Sequence, residues 1–420
     1  MKCMLNYIKC CYVVVTIASI TITCGITYFY TEPGFLQRMN AEYTTSELLK
    51  NTNATYVNNL ITKQHLNTSY FPKRHFLSKS TDSSIPYLVE MIHNFYLNNI
   101  NVKSKKECQR HKFIVYSCDF SRSCGGLGDR QRGIVSLFLL ALLTSRAFVI
   151  SFEKPCALEN VLKPHLYDWS VCKSFVNTIG NNDSKIFDFV NRAELFNATQ
   201  DFDKWGWKVV FIKINFHLFD QLRKREDVRD RIDWLLHMSK WKVVNTVLQI
   251  LFKPAQTSFD YLKQFDKHKV QGKTLVCSHI RTGKNPSIPE DNVFRTKPDE
   301  TIIFNFLKKY IASSQYVLYL ATDSDSVRQK FIKMFENSIK MNITLVHIDR
   351  LGKYKMFQKQ ACEGLKFAVV EQYILSACDI LILTKSGFGK TAAYMRGKSD
   401  QLFLFHPIKR RVVLSDLRHI

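Results

Sequence analysis

The sequence predicts an α/β protein made of two successive strand–helix units, each supplying a parallel sheet. Three observations lead there. First, an apolar run of strand length, Phe113-Ile-Val-Tyr116, is followed by a glycine-rich turn, Gly125-Gly-Leu-Gly128. A helix with a broad apolar face (132–145) and a second strand (147–152) come next. This strand–loop–helix–strand order is the repeating unit of a parallel sheet. Second, the last third repeats the alternation: strands at 274–277, 316–321, 343–348 and 380–384, with helices at 299–312, 324–335, 365–377 and 390–397. Third, Cys277-Ser-His-Ile-Arg-Thr-Gly283 carries a buried strand directly into His279, Arg281 and a glycine turn. Side chains there point into the crevice at the carboxyl edge of an open sheet, where such sheets bind ligands. The pattern predicts two facing Rossmann-like domains, 108–265 and 266–420, with a cleft between them.

A chain of 420 residues is too long for one ordinary core, which agrees with two domains plus extensions. Its formal charge is +24, but the basic residues are spread through the chain and no zinc, helix-turn-helix or RNA-binding signature accompanies them. Anionic substrates or membrane surfaces account for the charge without a nucleic-acid partner.

The first thirty residues set the expected compartment. Residues 10–30 contain 21 consecutive uncharged positions, and about 20 suffice to span a bilayer as a helix. Lys2 and Lys9 precede the span, while Glu32 and Arg38 follow it, which keeps the N-terminus cytoplasmic. Bulky Tyr28-Phe29-Tyr30 at its end offers no small-residue cleavage site, so an uncleaved anchor is expected rather than a signal peptide. The expected plan is a cytoplasmic tail at 1–9, a transmembrane anchor at 10–30, a lumenal stem at 31–107, then the folded body. Within the stem, an amphipathic segment at 85–100 is expected to be a helix leaning on that body. Glycosylation acceptors at Asn53, Asn67, Asn182, Asn197 and Asn342 all lie beyond the span. Eight cysteines follow residue 100, an even number suited to an oxidising lumen. Cys156 with Cys172 is a local pairing candidate, while Cys277 and Cys378 read as buried thiols.

Several motifs carry chemistry. The Arg281 fork at a sheet edge suits a diphosphate better than any other single side chain. Ser386-Gly-Phe-Gly-Lys-Thr391 follows a strand and opens a helix, but Thr384 stands where a P-loop needs its first glycine. Free backbone N–H groups at that helix start, helped by Ser386 and Thr391, still make an anion site. Asp323-Ser-Asp325 after an apolar strand has the look of a metal-binding pair, or equally of a helix cap. Glu371 is placed to accept two N–H bonds from a guanine, against the alternative of a solvated helix charge. Asp129 and Arg130 either face the cleft or cap the following helix. Trp205, Trp207, Trp234 and Trp241 are expected to pack helices.

Taken together, these segments resemble the superfamily of GDP-fucose-dependent fucosyltransferases (α-1,2, α-1,6, protein-O and xyloglucan enzymes) over about residues 110–400. Gly125-Gly-Leu-Gly-Asp-Arg130 resembles its glycine loop, Ser278-His-Ile-Arg-Thr-Gly283 its donor motif, and Leu318–Asp323 and Glu371 through Gly387 its later nucleotide motifs. The resemblance implies a GT-B-like fold and an inverting transfer from GDP-fucose to a glycan or glycoprotein acceptor, with no metal or other cofactor. Under it, Arg281 holds the β-phosphate with His279 beside it, Glu371 reads guanine, Ser386 and Gly387 contact phosphate, and Asp323 supports the pocket. Gly126, Gly128 and Arg130 fall on the donor side, and Asp129 becomes a candidate base for the acceptor. The chain departs from the family at Asp129, where Asn is usual, and at Lys284, where many members have Asp. A carboxylate at 129 needs Arg130 or Arg132 to neutralise it near a diphosphate. The alternatives are a metal-dependent transferase using Asp323 and Asp325, and a lumenal binding protein without turnover.

Overall fold

The computed structural model describes residues 84–283, 298–341 and 358–420, except 101, 103, 122, 193–195 and 197–204, together with Ile348. The expected membrane anchor, most of the expected stem, and the acceptors Asn53, Asn67, Asn197 and Asn342 lie outside the described residues. Among the described residues, no helix is long and apolar enough to cross a membrane.

The elements run as follows. Helix α1 (Ser84–Asn99) precedes β1 (Phe113–Cys118), α2 (Leu127–Leu143) and β2 (Ala147–Phe152). Short β3 (Leu162–Pro164), β4 (Ser184–Asp188) and β5 (Val209–Lys213) follow, then α3 (Lys240–Leu251), β6 (Phe252–Pro254) and α4 (Gln256–Phe265). The second half contains β7 (Thr274–Ile280), α5 (Glu300–Leu307), β8 (Tyr316–Thr322) and α6 (Asp325–Met334). It ends with α7 (Gln358–Ser376), β9 (Ile380–Leu383), α8 (Gly387–Arg396), β10 (Leu402–His406) and β11 (Arg411–Leu414).

Two sheets result, as the alternation predicts. The first has the order β2-β1-β5-β4, with every pairing parallel. The second has the order β11-β10-β9-β7-β8, parallel except for the β10–β11 edge pair. Strands buried on both faces need continuous apolar runs. Phe113-Ile-Val-Tyr116 and Leu275-Val-Cys277 supply them, with every one of these side chains at most 1% exposed.

The helix α2 is apolar nearly all round, which marks a helix buried on all sides. It packs on β1 and β2, and also on α3 and α8. One apolar core therefore runs from the first sheet into the second, and a smaller one covers the other face of the second sheet. Buried polar contacts stitch the halves together. Gln131 and Gln372 exchange hydrogen bonds of 2.5 and 2.9 Å, and Asn245 donates to the carbonyl of Tyr394 at 2.5 Å.

Helix α1, expected inside the stem, docks on α3 through Ile85, Leu88 and Ile92. Lys242 bonds the Ser84 hydroxyl at 2.9 Å. Trp205 and Trp207 pack beside Phe187 of β4 rather than between helices, with Trp205 stacked at 5.0 Å.

The cysteines correct two expectations. Cys156 bonds Cys362, and Cys172 bonds Cys108, so the local Cys156–Cys172 pairing does not form. The fold brings residues 64 and 206 positions apart to Cα separations of 5.7 and 5.5 Å, which sequence proximity does not anticipate. Cys277 and Cys378 are disulfide-bonded rather than buried thiols, tying β7 to the entry of β9. Cys118–Cys124 closes the segment before the glycine loop.

Candidate functional site

The carboxyl edge of the second sheet presents the ends of β7, β8 and β9 side by side. Strand β7 extends to Ile280, so His279 lies inside the strand and Arg281 is the first residue beyond it. Thr384, just past β9, holds this edge in place. Its hydroxyl donates to the His279 carbonyl at 3.2 Å and accepts the Arg281 N–H at 2.9 Å.

Asp323, just past β8, is the anchor of the loop. One oxygen accepts the Thr282 N–H at 2.7 Å and the Thr282 hydroxyl at 3.1 Å. The other accepts the Gly283 N–H at 2.9 Å and pairs with the Arg281 guanidinium. Both partners of the ion pair are largely buried, with side-chain exposures of 18% and 12%. Gly283 turns the chain at φ +72°, as the motif predicts.

With both oxygens of Asp323 engaged, the metal-binding reading of Asp323 and Asp325 loses its first ligand. Asp325 lies in the first turn of α6, and the Ser324 hydroxyl caps that helix by accepting the Val327 N–H at 3.3 Å. The helix-cap alternative is the one the geometry realises. Among the described residues, no cluster of three His, Cys, Asp or Glu side chains has metal-holding geometry.

His279 is 5% exposed, its ring tilted against that of Phe388 with centroids 5.3 Å apart. Burial, more than any neighbouring charge, pushes its imidazole down to about 4, so it is neutral at physiological pH. Its Nδ1 makes no hydrogen bond among the described residues and faces the start of α8, where a Cβ on Gly389 would come within 2.8 Å of it. His279 thus lies beneath the start of α8.

Helix α8 starts at Gly387, three residues earlier than the sequence pattern suggests. Ser386 is its N-cap, its oxygen accepting the Phe388 N–H at 3.2 Å while its O–H proton stays available for donation. Thr391, expected to help bind an anion, is 4% exposed and turned back onto the Gly387 carbonyl at 2.9 Å. It serves the helix instead.

The glycine loop meets this helix start from the other half of the molecule. Gly126 is the N-cap of α2, and Asp129 accepts its N–H at 3.0 Å, as in a capping box. A Cβ on Gly128 would lie 2.8 Å from the Gly387 carbonyl carbon and the Phe388 nitrogen. Only glycine permits that approach, which brings the two sheet edges together.

Asp129 is neutralised by Arg132, its second oxygen pairing with that guanidinium. Both carboxylate oxygens therefore brace the loop. Arg130, expected to face the cleft, is fully buried instead. It donates to the Gly125 carbonyl at 2.8 Å, to the Lys154 carbonyl and to the Ile348 carbonyl at 3.2 Å, and lies over the Phe152 ring. These donors satisfy backbone carbonyls, so Arg130 fastens the site from behind.

Glu371 is 9% exposed and sits beside mid-strand Tyr319, whose hydroxyl donates to it at 2.9 Å. Burial pushes its carboxyl up to about 7 against the opposing pull of Arg328 and the Tyr319 bond. It is a core carboxyl, not a solvated helix charge. Thr384 and Thr282 are the site residues that sequence reading missed. Each looked like an ordinary β-branched residue at a strand end, and only the strand order gives them partners.

A structure of an Arabidopsis thaliana FUT1 variant in complex with GDP aligns over 81% of this chain and 86% of that chain, with 12% identity and a TM-score of 0.53. The chain shares that fold. NodZ alpha-1,6-fucosyltransferase soaked with GDP-fucose aligns over 73% of this chain and 99% of its own, with 14% identity and a TM-score of 0.47. POFUT1 in complex with GDP-fucose covers 69% and 95%, with 12% identity and a TM-score of 0.40. No protein-family model matches the sequence, and no curated protein matches it.

Proposed function

We propose that the protein is a Golgi, single-pass type II glycosyltransferase that moves fucose from GDP-fucose to a hydroxyl of a glycan or glycoprotein, inverting C1 without a metal. The carrying observation is Arg281, fixed by Asp323 and Thr384 at the same carboxyl sheet edge from which α8 starts. The fold shared with the GDP-bound FUT1 structure and the motif order supports the same reading.

Breaking the C1–O bond of the donor builds positive charge on the sugar and negative charge on the diphosphate. Arg281 donates to the β-phosphate oxygens as that charge develops. Ser386 and the unpaired N–H groups of the first turn of α8 add donors aimed at the same place. A preplaced donor of this kind is typically worth about 3 kcal/mol of barrier, which is the work a metal would otherwise do. The acceptor hydroxyl approaches the opposite face of C1 from the first-sheet side of the cleft. Asp129, with both oxygens engaged, acts as a brace for the glycine loop rather than as the base. Glu371 stays the candidate for guanine recognition from the resemblance, with its burial beside Tyr319 fixing its position. The lumenal placement follows from the uncharged span at 10–30, and exposed Asn182 is a usable glycosylation acceptor.

Transfer of labelled fucose from GDP-fucose to a glycoprotein mixture, with and without chelator, tests the reading. The proposal expects transfer that chelator does not reduce and that Arg281→Ala abolishes. Transfer only from a UDP-sugar with manganese would replace it with the metal-dependent alternative.

A further inference from the structure

Beside this edge lies a second cluster whose chemistry the donor does not use. Arg132 comes from the second turn of α2, and its guanidinium carbon would lie 3.7 Å from a Cβ on Gly387. His217 follows β5 at the carboxyl edge of the first sheet, its ring 5.0 Å from that of Phe219. Lys240 opens α3 and places its ammonium 5.5 Å over the same Phe219 ring. Lys390 is one turn into α8. None of the four comes from the strands or loops that carry Arg281 and Asp323.

The charges are poorly compensated. Asp129 is consumed by Arg132, and Asp220 is the one acid acting on Lys240. Among the described residues, Lys240 and Lys390 take part in no ion pair. Lys240 also sits at a helix N-terminus, where the macrodipole disfavours a cation. Neither α3 nor α8 has an acid in its first turn to relieve this. Ser239, at the N-cap of α3, makes no capping bond, and its buried hydroxyl has no partner among the described residues. The buried Nε of Arg132 and Nδ1 of His217 likewise have none. Burial first, then mutual repulsion, lowers the ammonium groups of Lys240 and Lys390 and pushes His217 down to about 2. Orphaned donors and uncompensated cations in one half-buried place are the conditions that an anion relieves.

We propose that Arg132, His217, Lys240 and Lys390 bind an anionic group on the acceptor (a carboxylate, sulfate or phosphate ester), so that the acceptor is an acidic glycan or glycopeptide. The inference rests on the fucosyl-transfer reading above. The acceptor is chosen over the donor because Arg132, His217 and Lys240 belong to the 108–265 domain, the first-sheet side from which the acceptor hydroxyl approaches, while Arg281, Ser386 and Gly387 already serve the diphosphate.

The test uses the full chain and has two arms. In the first, sodium sulfate replaces sodium chloride at constant ionic strength, and melting is followed with GDP saturating and with no nucleotide. Sulfate should stabilise the GDP-saturated wild type, and Lys240→Ala and Lys390→Ala should lose that shift while their GDP affinity stays within about twofold. In the second arm, transfer is compared on matched acceptors with the acidic group present, esterified or removed, one pair each for carboxylate, sulfate and phosphate. One acidic member should be preferred at least tenfold in kcat/KM, the preference vanishing in both lysine variants while turnover of its neutral partner persists. No sulfate shift with GDP bound, equal turnover of every pair, or a tenfold loss of GDP affinity in the lysine variants would overturn the proposal. Absence of any nucleotide binding or transfer would instead sink the fucosyl-transfer reading, and the nucleotide-free sulfate arm would still decide whether the cluster binds an anion.

Discussion

Gly128 and Gly387 come so close that a Cβ on Gly128 would lie 2.8 Å from the Gly387 carbonyl carbon. One residue lies in the first turn of α2, which follows β1, and the other opens α8, which follows β9, so this contact sets the spacing between the two sheet edges. Gly128→Ala must push backbone against backbone, where no side chain can rotate away. Overpacking of this kind costs about 1–3 kcal/mol. The variant should melt several degrees lower and lose at least tenfold in transfer while its far-UV circular dichroism is unchanged. Wild-type melting and transfer in this variant would show that the two edges do not meet.

Asp323 takes four hydrogen bonds, three of them from the Arg281–Gly283 segment backbone and the Thr282 side chain and one from the Arg281 guanidinium. Asp323→Ala removes the partner of a largely buried cation, a change that costs about 3–5 kcal/mol when a pair is broken on one side. The variant should lose at least a hundredfold in kcat, with an added fall in melting temperature. If Asp323 instead held a metal, activity would be chelator-sensitive in wild type and the loss in Asp323→Ala would be partly restored by excess manganese. Steady-state kinetics with and without chelator distinguish the two.

How far the sequence reached can be judged from these same residues. Strands β1, β2, β7, β8 and β9 and the glycine turn at 283 were legible because apolar runs and turn chemistry are local, whereas β4, β5, β10 and β11, at or near the sheet edges, were not read. Helix starts were not. Helix α2 begins at Leu127 and α8 at Gly387, earlier than the apolar pattern, because Gly126–Asp129 and Ser386 supply caps that hydropathy does not register. Arg130 looked like a cleft residue because a charge beside a glycine loop is ordinarily solvated, yet loop carbonyls surround it. Thr384 and the Cys156–Cys362 bond depend on strand order and long-range contact, which one sequence does not encode locally.

The Cys156–Cys362 bond ties the loop after β2 to α7 across 206 residues of chain. Closing so long a loop restrains the unfolded chain strongly, and its removal typically costs about 2–5 kcal/mol. Cys156→Ala/Cys362→Ala should therefore melt well below wild type under non-reducing conditions. The Gln131–Gln372 and Asn245–Tyr394 contacts still join the halves, so transfer at low temperature should stay within about threefold of wild type. Loss of transfer without a change in melting would show that the bond serves the cleft rather than the fold.

Glu371 gives a pH dependence with a definite sign. Its carboxyl rises from 4.5 to about 7 on folding, so the folded state favours the protonated form. That contribution is fully present below pH 4.5 and is lost as pH rises through about 7, up to about 3 kcal/mol in all. Glu371→Gln keeps an acceptor for the Tyr319 hydroxyl and removes the ionisation. Its melting temperature relative to wild type should therefore be higher at pH 8 than at pH 5. A difference independent of pH, measured by calorimetry in matched buffers, would show that Glu371 is ionised in the folded core.

The most direct test of the central claim is nucleotide-dependent melting of the full chain in chelator, with GDP, UDP and ADP, for wild type and Arg281→Ala. A nucleotide at about 100 times its dissociation constant stabilises by about 2.7 kcal/mol, a readily measured shift. The account predicts stabilisation by GDP alone, lost in Arg281→Ala. Equal stabilisation by all three nucleotides, a shift that requires manganese, or a GDP shift that survives Arg281→Ala would contradict it.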